Sequence, residues 1–150
     1  MADPNDIRNI AQSTLQLIQE FKKAQDIRSD LDRVSFEILM LVKMKDRIRP
    51  SDLAAELDVN PSSITRRLQP LLQAGLVGIL TDPEDLRSSL ISLTAQGDEA
   101  LNRFLERSVD GLGIILKEWG EEDIHVLAQT LGRYAESMKD WRLAYMKKNS

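Results

Sequence analysis

The chain has 150 residues, a formal net charge of −4 and 42% hydrophobic residues, enough apolar material for one domain with additional helices. Cysteine is absent, which excludes disulfides, thiolate metal sites and cysteine-based peroxide sensing. No apolar run approaches the ~18 residues of a transmembrane helix and the N-terminus is acidic and polar, so we expect a cytoplasmic protein without a membrane partner.

The first segment of the chain has the period of an amphipathic helix. Between Asp6 and about Asp26, apolar residues recur at spacings of three or four, among them Ile7, Ile10 and Ile18. After a predicted polar break at Arg28-Ser29-Asp30, a second helix is expected from about Asp32 to Met44. The side of it that we expect to be buried consists of Val34, Ile38, Leu41 and Val42.

Residues 51–74 have the signals of two short helices joined by a tight turn. The first helix is predicted to begin near Ser51, whose hydroxyl is expected to cap its first turn. Asn60 suits an N-cap and Pro61 the first helical position, so the second helix is predicted from Pro61 to about Ala74, with Gly75 as its stop. Pro70 lies in its last turns and is expected to bend the helix or end it early.

The second of these helices has one apolar and one polar face. The apolar face consists of Ile64, Leu68, Leu71 and Leu72. The other side carries short polar donors and arginines, which is the chemistry that contacts phosphates and base edges in a DNA groove. For an isolated helix these residues are equally well explained as a helix start and a solvated face. The DNA-contacting residues predicted here are Ser62, Ser63, Thr65, Arg66, Arg67 and Gln69.

A predicted β-hairpin follows this helix and favours the DNA-contacting interpretation over a merely solvated face. Two β-prone runs, 75–80 and 89–93, flank the polar turn Asp82–Asp85. Arg87 is the one basic residue of the hairpin sequence, and a long cation at its tip suits the narrow, negative minor groove. The helix pair and the hairpin together predict a winged helix-turn-helix, within a chain that is mainly α with a small β-wing.

These segments resemble the MarR family of bacterial transcriptional regulators. The similarity rests on SDLAAELDVNPSSITRRL (51–68), LLQAGLV (71–77), the wing sequence Asp85-Leu86-Arg87 and the sequence Leu93-Thr94-Ala95-Gln96-Gly97, with SFEILMLV (35–42) upstream. The resemblance implies a double-stranded DNA-binding regulator, most often a repressor, with a short strand at Ile48. It also implies a small aromatic or anionic effector, bound between dimerising helices and the winged domain.

Two departures from the family pattern remove possible phosphate contacts. Gly78-Ile79-Leu80 stands where relatives often carry charged residues, and the wing has one arginine where many have more. No ligand-binding residue is assigned from the sequence. Phe36, Met40 and Met44 are candidates to line an effector pocket, although core packing explains them more simply.

The C-terminal third is predicted to form two helices. Thr94 is expected to cap the first, which Gly111 and Gly113 weaken or kink and Gly120 ends. The last helix, from about Glu121, carries an apolar seam typical of helix–helix pairing, whose partner could lie in the same chain. Because the first helix has a matching stripe and MarR-like proteins dimerise through their first and last helices, we expect a homodimer. The seam consists of Ile124, Leu127, Leu131, Tyr134, Met138, Trp141 and Tyr145.

The predicted organisation is an N-terminal dimerisation helix (1–30), a winged helix-turn-helix (31–94) and C-terminal dimerisation helices (95–150). In a two-fold dimer, the two recognition helices would read half-sites about one helical turn apart, hence a near-palindromic operator. His125 is the only histidine of the sequence, and no catalytic or metal-binding pattern is present. We therefore expect neither an enzyme nor a metal or cofactor, apart from an effector.

The charge distribution leaves other interpretations open. Residues 43–87 hold seven basic and seven acidic side chains, against five and seven before them and eight and ten after them. A neutral section is not a basic patch, and with the sparse wing it favours an alternative, a winged-helix protein-interaction module that has lost DNA binding. A helical scaffold without a ligand is a third interpretation, but it leaves the wing unexplained.

Overall fold

The computed structural model describes residues 1–25, 27 and 31–149. The predicted break at Arg28-Ser29-Asp30 lies outside these residues. The chain divides into two compact units, residues 1–106 and 107–150. The elements are α1 (Pro4–Gln25), α2 (Arg33–Lys45), β1 (Arg47–Ile48), α3 (Pro50–Glu56), α4 (Pro61–Gln73), β2 (Val77–Thr81), β3 (Ser89–Leu93), α5 (Ala95–Ile115) and α6 (Glu121–Lys148).

The core of the first unit lies where α2, α3, α4 and the sheet meet. Of the predicted buried side of α2, Ile38 and Val42 are fully buried, whereas Val34 and Leu41 are half-buried at its edge. Leu39 is also fully buried and was not predicted, because α2 packs against both α3 and the sheet and therefore buries a broader face than one stripe. Further core residues are Ile48, Leu53, Ala54, Ile64, Leu68, Leu71, Val77, Ile91 and Leu101.

The start of α3 differs from the prediction. The helix begins at Pro50, and its N-cap residue is Arg49, which makes no side-chain capping hydrogen bond. Proline at the first helical position needs no partner for an amide hydrogen and already has the helical φ angle, so the start does not depend on the hydroxyl of Ser51. The prediction that Ser51 caps this helix was therefore wrong.

The turn and the second helix follow the sequence signals closely. Asp58 adopts a left-handed backbone with φ of 53°, and the side chain of Asn60 caps α4 by accepting from the amide of Ser63. The helix continues through Pro70 to Gln73, so of the two expected effects of Pro70, a bend or an early end, the early end was wrong. Proline removes one helical hydrogen bond, whereas burial of Leu68 and Leu71 on both sides of it holds the backbone helical. Gly75, with φ of +72°, ends the segment as predicted.

The wing belongs to a three-stranded antiparallel sheet with the order β1-β3-β2. Ile91 of β3 lies opposite Ile48 of β1 and opposite Ile79 of β2, so β3 is central and β2 is an edge strand. The first hairpin strand begins at Val77, two residues later than predicted, because the amide of Leu76 still donates to the carbonyl of Leu71 in α4.

The junction between the wing and α5 is closed by Thr94. Its hydroxyl donates to the carbonyl of Gly75 at 2.6 Å and accepts from the amide of Gly97 at 3.0 Å, so Thr94 caps α5 as predicted. The helix continues through Gly111 and Gly113 and ends at Ile115, five residues before the predicted stop, and Gly120 is instead the N-cap residue of α6.

Apolar side chains are exposed on α1 and, in the second unit, on α6. On α1 they include Ile7, Ile10, Ile18 and Phe21. On α6, Leu131, Tyr134, Met138, Trp141 and Tyr145 are exposed, and Ile124 and Leu127 are half-buried. No helix among the described residues combines the length and the apolar composition that crossing a bilayer requires.

Candidate nucleic-acid interface

The outward face of α4 presents all six of its predicted contact residues at or near the surface. Ser62, Thr65, Arg66, Arg67 and Gln69 are exposed, and Ser63 is half-buried beside the N-cap. They share this face because Ile64, Leu68 and Leu71 occupy the opposite one and are at most 4% exposed. The helix is thus held by its apolar side, while its polar side is open to a groove.

Internal hydrogen bonds determine which donors and acceptors of the short side chains remain available to a ligand. The hydroxyl of Ser62 donates to Oδ1 of Asn60 at 2.7 Å, and the hydroxyl of Thr65 donates to the carbonyl of Pro61 at 3.1 Å. Both hydroxyl hydrogens are therefore used, and these oxygens are left mainly as acceptors. The long donors of this face are Arg66, Arg67 and Gln69. Arginine suits phosphates and the edge of guanine, and glutamine suits the edge of adenine.

The two arginines of α4 also line an open groove of about 410 Å³ next to the start of α2. Asp32 lies in this groove and caps α2 by accepting from the amide and the hydroxyl of Ser35. Partial burial raises its pKa, but the hydrogen bonds from Ser35 and the nearby charge of Arg67 outweigh burial, and the net pKa is lowered. The groove is lined by Asp32, Val34, Ser35, Ser63, Arg66, Arg67 and Pro70.

The tip of the wing is organised by the carboxylate of Asp85. Its Oδ1 accepts from the amide of Arg87 at 3.0 Å and its Oδ2 accepts from the hydroxyl of Ser88 at 3.1 Å. These bonds fix the backbone of the turn and leave the side chains of Leu86 and Arg87 exposed. The Asp-x-Arg spacing thus has a local cause: the aspartate holds the turn that presents the arginine.

The first residue of the wing turn is tied to the start of α3 by an ion pair that the sequence interpretation missed. Asp82, 4% exposed, accepts from Nη2 of Arg49 at 2.6 Å and from Nε at 3.0 Å through Oδ2. Its Oδ1 accepts from the amide of Glu84 at 2.9 Å. The hydrogen bond from Glu84, followed by the one from Arg49, lowers the pKa of Asp82, and Asp82 in turn raises the pKa of Arg49.

This pair should make the stability of the wing depend on acid. Because the folded pKa of Asp82 is depressed, its contribution is complete above the unfolded value of about 3.9 and is lost as pH falls through the folded pKa. We expect Asp82→Asn to lower the melting temperature at pH 7, with a difference from the wild type that shrinks below about pH 4. Thermal melts monitored by circular dichroism between pH 7 and pH 2 measure both effects.

Asp46→Asn is the matched control for this experiment. Its side chain is 95% exposed, its nearest cation, Arg47, is 4.0 Å away, and its backbone φ of 64° is one that asparagine also tolerates. It should melt like the wild type at every pH. Parallel pH profiles for the wild type and Asp82→Asn would refute the role given to the ion pair.

Ion pairing also separates the basic residues of section 43–87 into two groups. Lys43 pairs with Asp98 at 2.7 Å, Lys45 with Glu56 at 3.6 Å and Arg47 with Asp46 at 4.0 Å, and Arg49 is held by Asp82. Arg66, Arg67 and Arg87 form no such pair within the part of the chain that the structure describes. Among the described residues, four of the seven cations of the section therefore lie within 4.0 Å of a carboxylate, and the other three are on the outward face of α4 and at the wing tip.

The residues considered for an effector pocket lie along α2 at spacings of four. Phe36 stacks on Phe104 with ring centroids 4.6 Å apart, and Phe36 and Met40 pack against the core. Met44 is 73% exposed. Among the described residues, no group of three or more His, Asp or Glu side chains is placed to hold a metal ion.

Comparison with known proteins gives one family. The MarR family model matches residues 31–89. The uncharacterized HTH-type transcriptional regulator YdgG of Bacillus subtilis (strain 168) is 31% identical over 107 residues, which cover 70% of this chain and 70% of YdgG. The match therefore extends beyond the winged helix-turn-helix to more than two thirds of both chains.

Two solved structures have the same fold at low identity. A MarR family protein from Bacillus stearothermophilus has a TM-score of 0.79 at 15% identity, covering 93% of this chain and 99% of that one. A cysteine-to-serine mutant of E. coli MarR, crystallised with operator DNA, has a TM-score of 0.61 at 22% identity. The match covers 89% of this chain and 99% of that one. With its winged fold, its matched segment and its relative YdgG, this chain belongs to the MarR family of helix-turn-helix transcriptional regulators.

Proposed function

We propose that this protein is a sequence-specific, double-stranded DNA-binding transcriptional regulator that acts in the cytoplasm as a homodimeric, ligand-responsive repressor. The observation that carries the proposal is the placement of Arg66, Arg67 and Arg87. They lie on the exposed face of α4 and at the wing tip, whereas Lys43, Lys45 and Arg49 each pair with a carboxylate. Family membership supports the same function.

In this proposal, α4 enters the major groove and the wing reaches the adjacent minor groove. Ser62, Ser63 and Thr65 lie at the N-terminus of α4, where the helix dipole favours the approach of a phosphate. Arg66 and Gln69 lie one turn further along, and Arg67 lies on the flank. One of the two arginines pairs with a guanine edge or holds a phosphate, and the variants described in the Discussion distinguish these roles.

The wing arginine has a measurable electrostatic role. Replacing Arg87 by alanine removes one contact to the negative minor groove, so binding should weaken for all sequences, and the slope of log K against log salt should fall by about 1. Fluorescence anisotropy with a labelled duplex of mixed sequence over a salt series measures this slope.

Arg103→Ala is the control for loss of one positive charge. Arg103 is exposed on α5 and pairs with Glu99 at 3.8 Å, away from α4 and the wing. It should leave the slope unchanged. The same slope for Arg87→Ala as for the wild type would remove the wing from the proposed interface.

The homodimer is proposed from the apolar residues of α1 and α6. Leu131 and Met138 of the seam are each 47% exposed, and the predicted stripe on α1 is also open. We expect a dimer at micromolar concentration in sedimentation. Glutamate at both positions 131 and 138 should raise the dimer dissociation constant by about 100-fold or more, since it places charges in an apolar seam.

Gln129→Glu adds one negative charge to α6 outside the seam, as each seam substitution does within it, and should leave the dimer intact. Circular dichroism establishes that each variant remains helical. A monomeric wild-type protein, or a seam variant that dimerises as well as Gln129→Glu, would contradict the proposed interface.

The proposed effector is a small aromatic or anionic compound. An anion in the groove beside α2 would meet Arg66 and Arg67, the same side chains that α4 offers to DNA. Such a ligand binds the free protein better than the DNA complex and therefore releases DNA, as linkage requires. Displacement of a labelled duplex from the wild type by a set of aromatic and anionic compounds tests this, and an absence of displacement by all of them would contradict it.

A further inference from the structure

The tip of the wing carries an exposed apolar side chain next to its basic one. Leu86 lies between Asp85 and Arg87 and is 81% exposed. The turn around it is held by hydrogen bonds from the amide of Arg87 and the hydroxyl of Ser88 to Asp85. Leu86 is therefore presented on a fixed backbone, which lowers the entropy cost of inserting it into a partner.

A single exposed leucine is common on protein surfaces, so its position is what matters. The hairpin also exposes Ile79 and Leu80, at 57% and 40%, but both lie in the edge strand β2 away from the turn. Leu86 is directly beside Arg87, the residue proposed to approach the minor groove. One carboxylate of the turn, Asp82, is paired with Arg49, which reduces its repulsion of phosphates.

Apolar side chains at such a position have a known physical use. Proteins that bind the minor groove insert leucine, phenylalanine or methionine between base steps, which partly unstacks the bases and kinks the duplex. The cost is lowest at pyrimidine–purine steps, which are the most easily deformed. An adjacent arginine supplies the attraction to the groove that a leucine lacks.

We propose that Leu86 is a minor-groove wedge that, beside Arg87, opens a base step under each wing and bends the operator. This inference rests on the proposed function, since it assumes a DNA complex. It adds a specificity determinant that makes no hydrogen bond to a base: operators should carry TA or CA/TG steps under the wings. In a two-fold dimer, the two wedges act at symmetric positions outside the half-sites read by α4.

The test uses a duplex enriched from a random library by the full-length protein, with 2-aminopurine in place of adenines under the wing. Unstacking raises 2-aminopurine fluorescence. The wild type should raise it and Leu86→Ala should not, while affinity falls about tenfold with an unchanged salt slope. Leu86→Asn, of similar shape but polar, should behave like the alanine variant.

Ile79→Ala is the matched control, because it removes exposed apolar surface from the same hairpin away from the tip. It should bind and unstack like the wild type. If Leu86→Ala has the same DNA affinity and the same 2-aminopurine fluorescence as Ile79→Ala, the role proposed for Leu86 is refuted. If Arg66→Ala loses binding in the same experiment, the proposed DNA-binding function is retained. If no duplex is enriched, the proposed function fails and the wedge fails with it.

Discussion

Replacing Gly97 by alanine is expected to lower the free energy of unfolding by about 3 kcal/mol. A Cβ atom at this position would lie 1.9 Å from the carbonyl oxygen of Leu76 and 2.8 Å from Cδ1 of Leu93. The carbonyl cannot move away freely, because it accepts from the amide of Thr94 at 3.1 Å and belongs to the link between α4 and β2. Urea unfolding monitored by circular dichroism measures the change.

The same helix supplies a control with the opposite expected sign. A Cβ atom at Gly111 would meet no atom within 4 Å. Gly111→Ala should therefore raise the free energy of unfolding by about 0.5–1 kcal/mol, through the helix propensity of alanine. Equal effects of the two substitutions would refute the close packing assigned to Gly97.

Replacing both Arg66 and Arg67 by alanine is expected to weaken binding to the selected duplex by roughly 100-fold or more at about 0.1 M salt, since each contact is worth about 1–3 kcal/mol. Both side chains are exposed on α4, so the protein should fold normally, which circular dichroism checks. Arg103→Ala again serves as the control for loss of one positive charge, half of the charge that the double variant loses.

The single variants assign the two roles. Loss of a guanine contact should relax specificity at one position, whereas loss of a phosphate contact should weaken binding to all sequences and lower the salt slope by about 1. Anisotropy titrations with the selected duplex and single-base variants of it distinguish the two. Affinity of the double variant equal to that of Arg103→Ala would remove α4 from the proposed interface.

The parts of the site that could be predicted from sequence are those with local causes. Asn60, Pro61 and Gly75 mark the start and end of α4 because capping depends on neighbouring residues. The apolar face of α4 then sets its outward face. The wrong prediction at Ser51 also has a local cause. Pro50 starts the helix one residue earlier, and this start needs no cap from a serine hydroxyl.

The parts that could not be predicted depend on contacts between distant segments. Arg49 and Asp82 are 33 residues apart, and no spacing in the sequence indicates that the start of α3 meets the first residue of the wing turn. The burial of Leu39 likewise follows from two elements packing against α2 at once. The charge count of section 43–87 likewise does not indicate which cations are paired, whereas the ion pairs of the structure leave Arg66, Arg67 and Arg87 for the proposed interface.

The most direct test of the central claim is selection of the purified protein against a library of random DNA duplexes at about 0.1 M salt, before and after unfolding and refolding to remove any ligand. A DNA-binding homodimer predicts enrichment of a two-fold symmetric site with half-sites about 10 base pairs apart. A folded, dimeric protein that enriches no duplex in either preparation would contradict it.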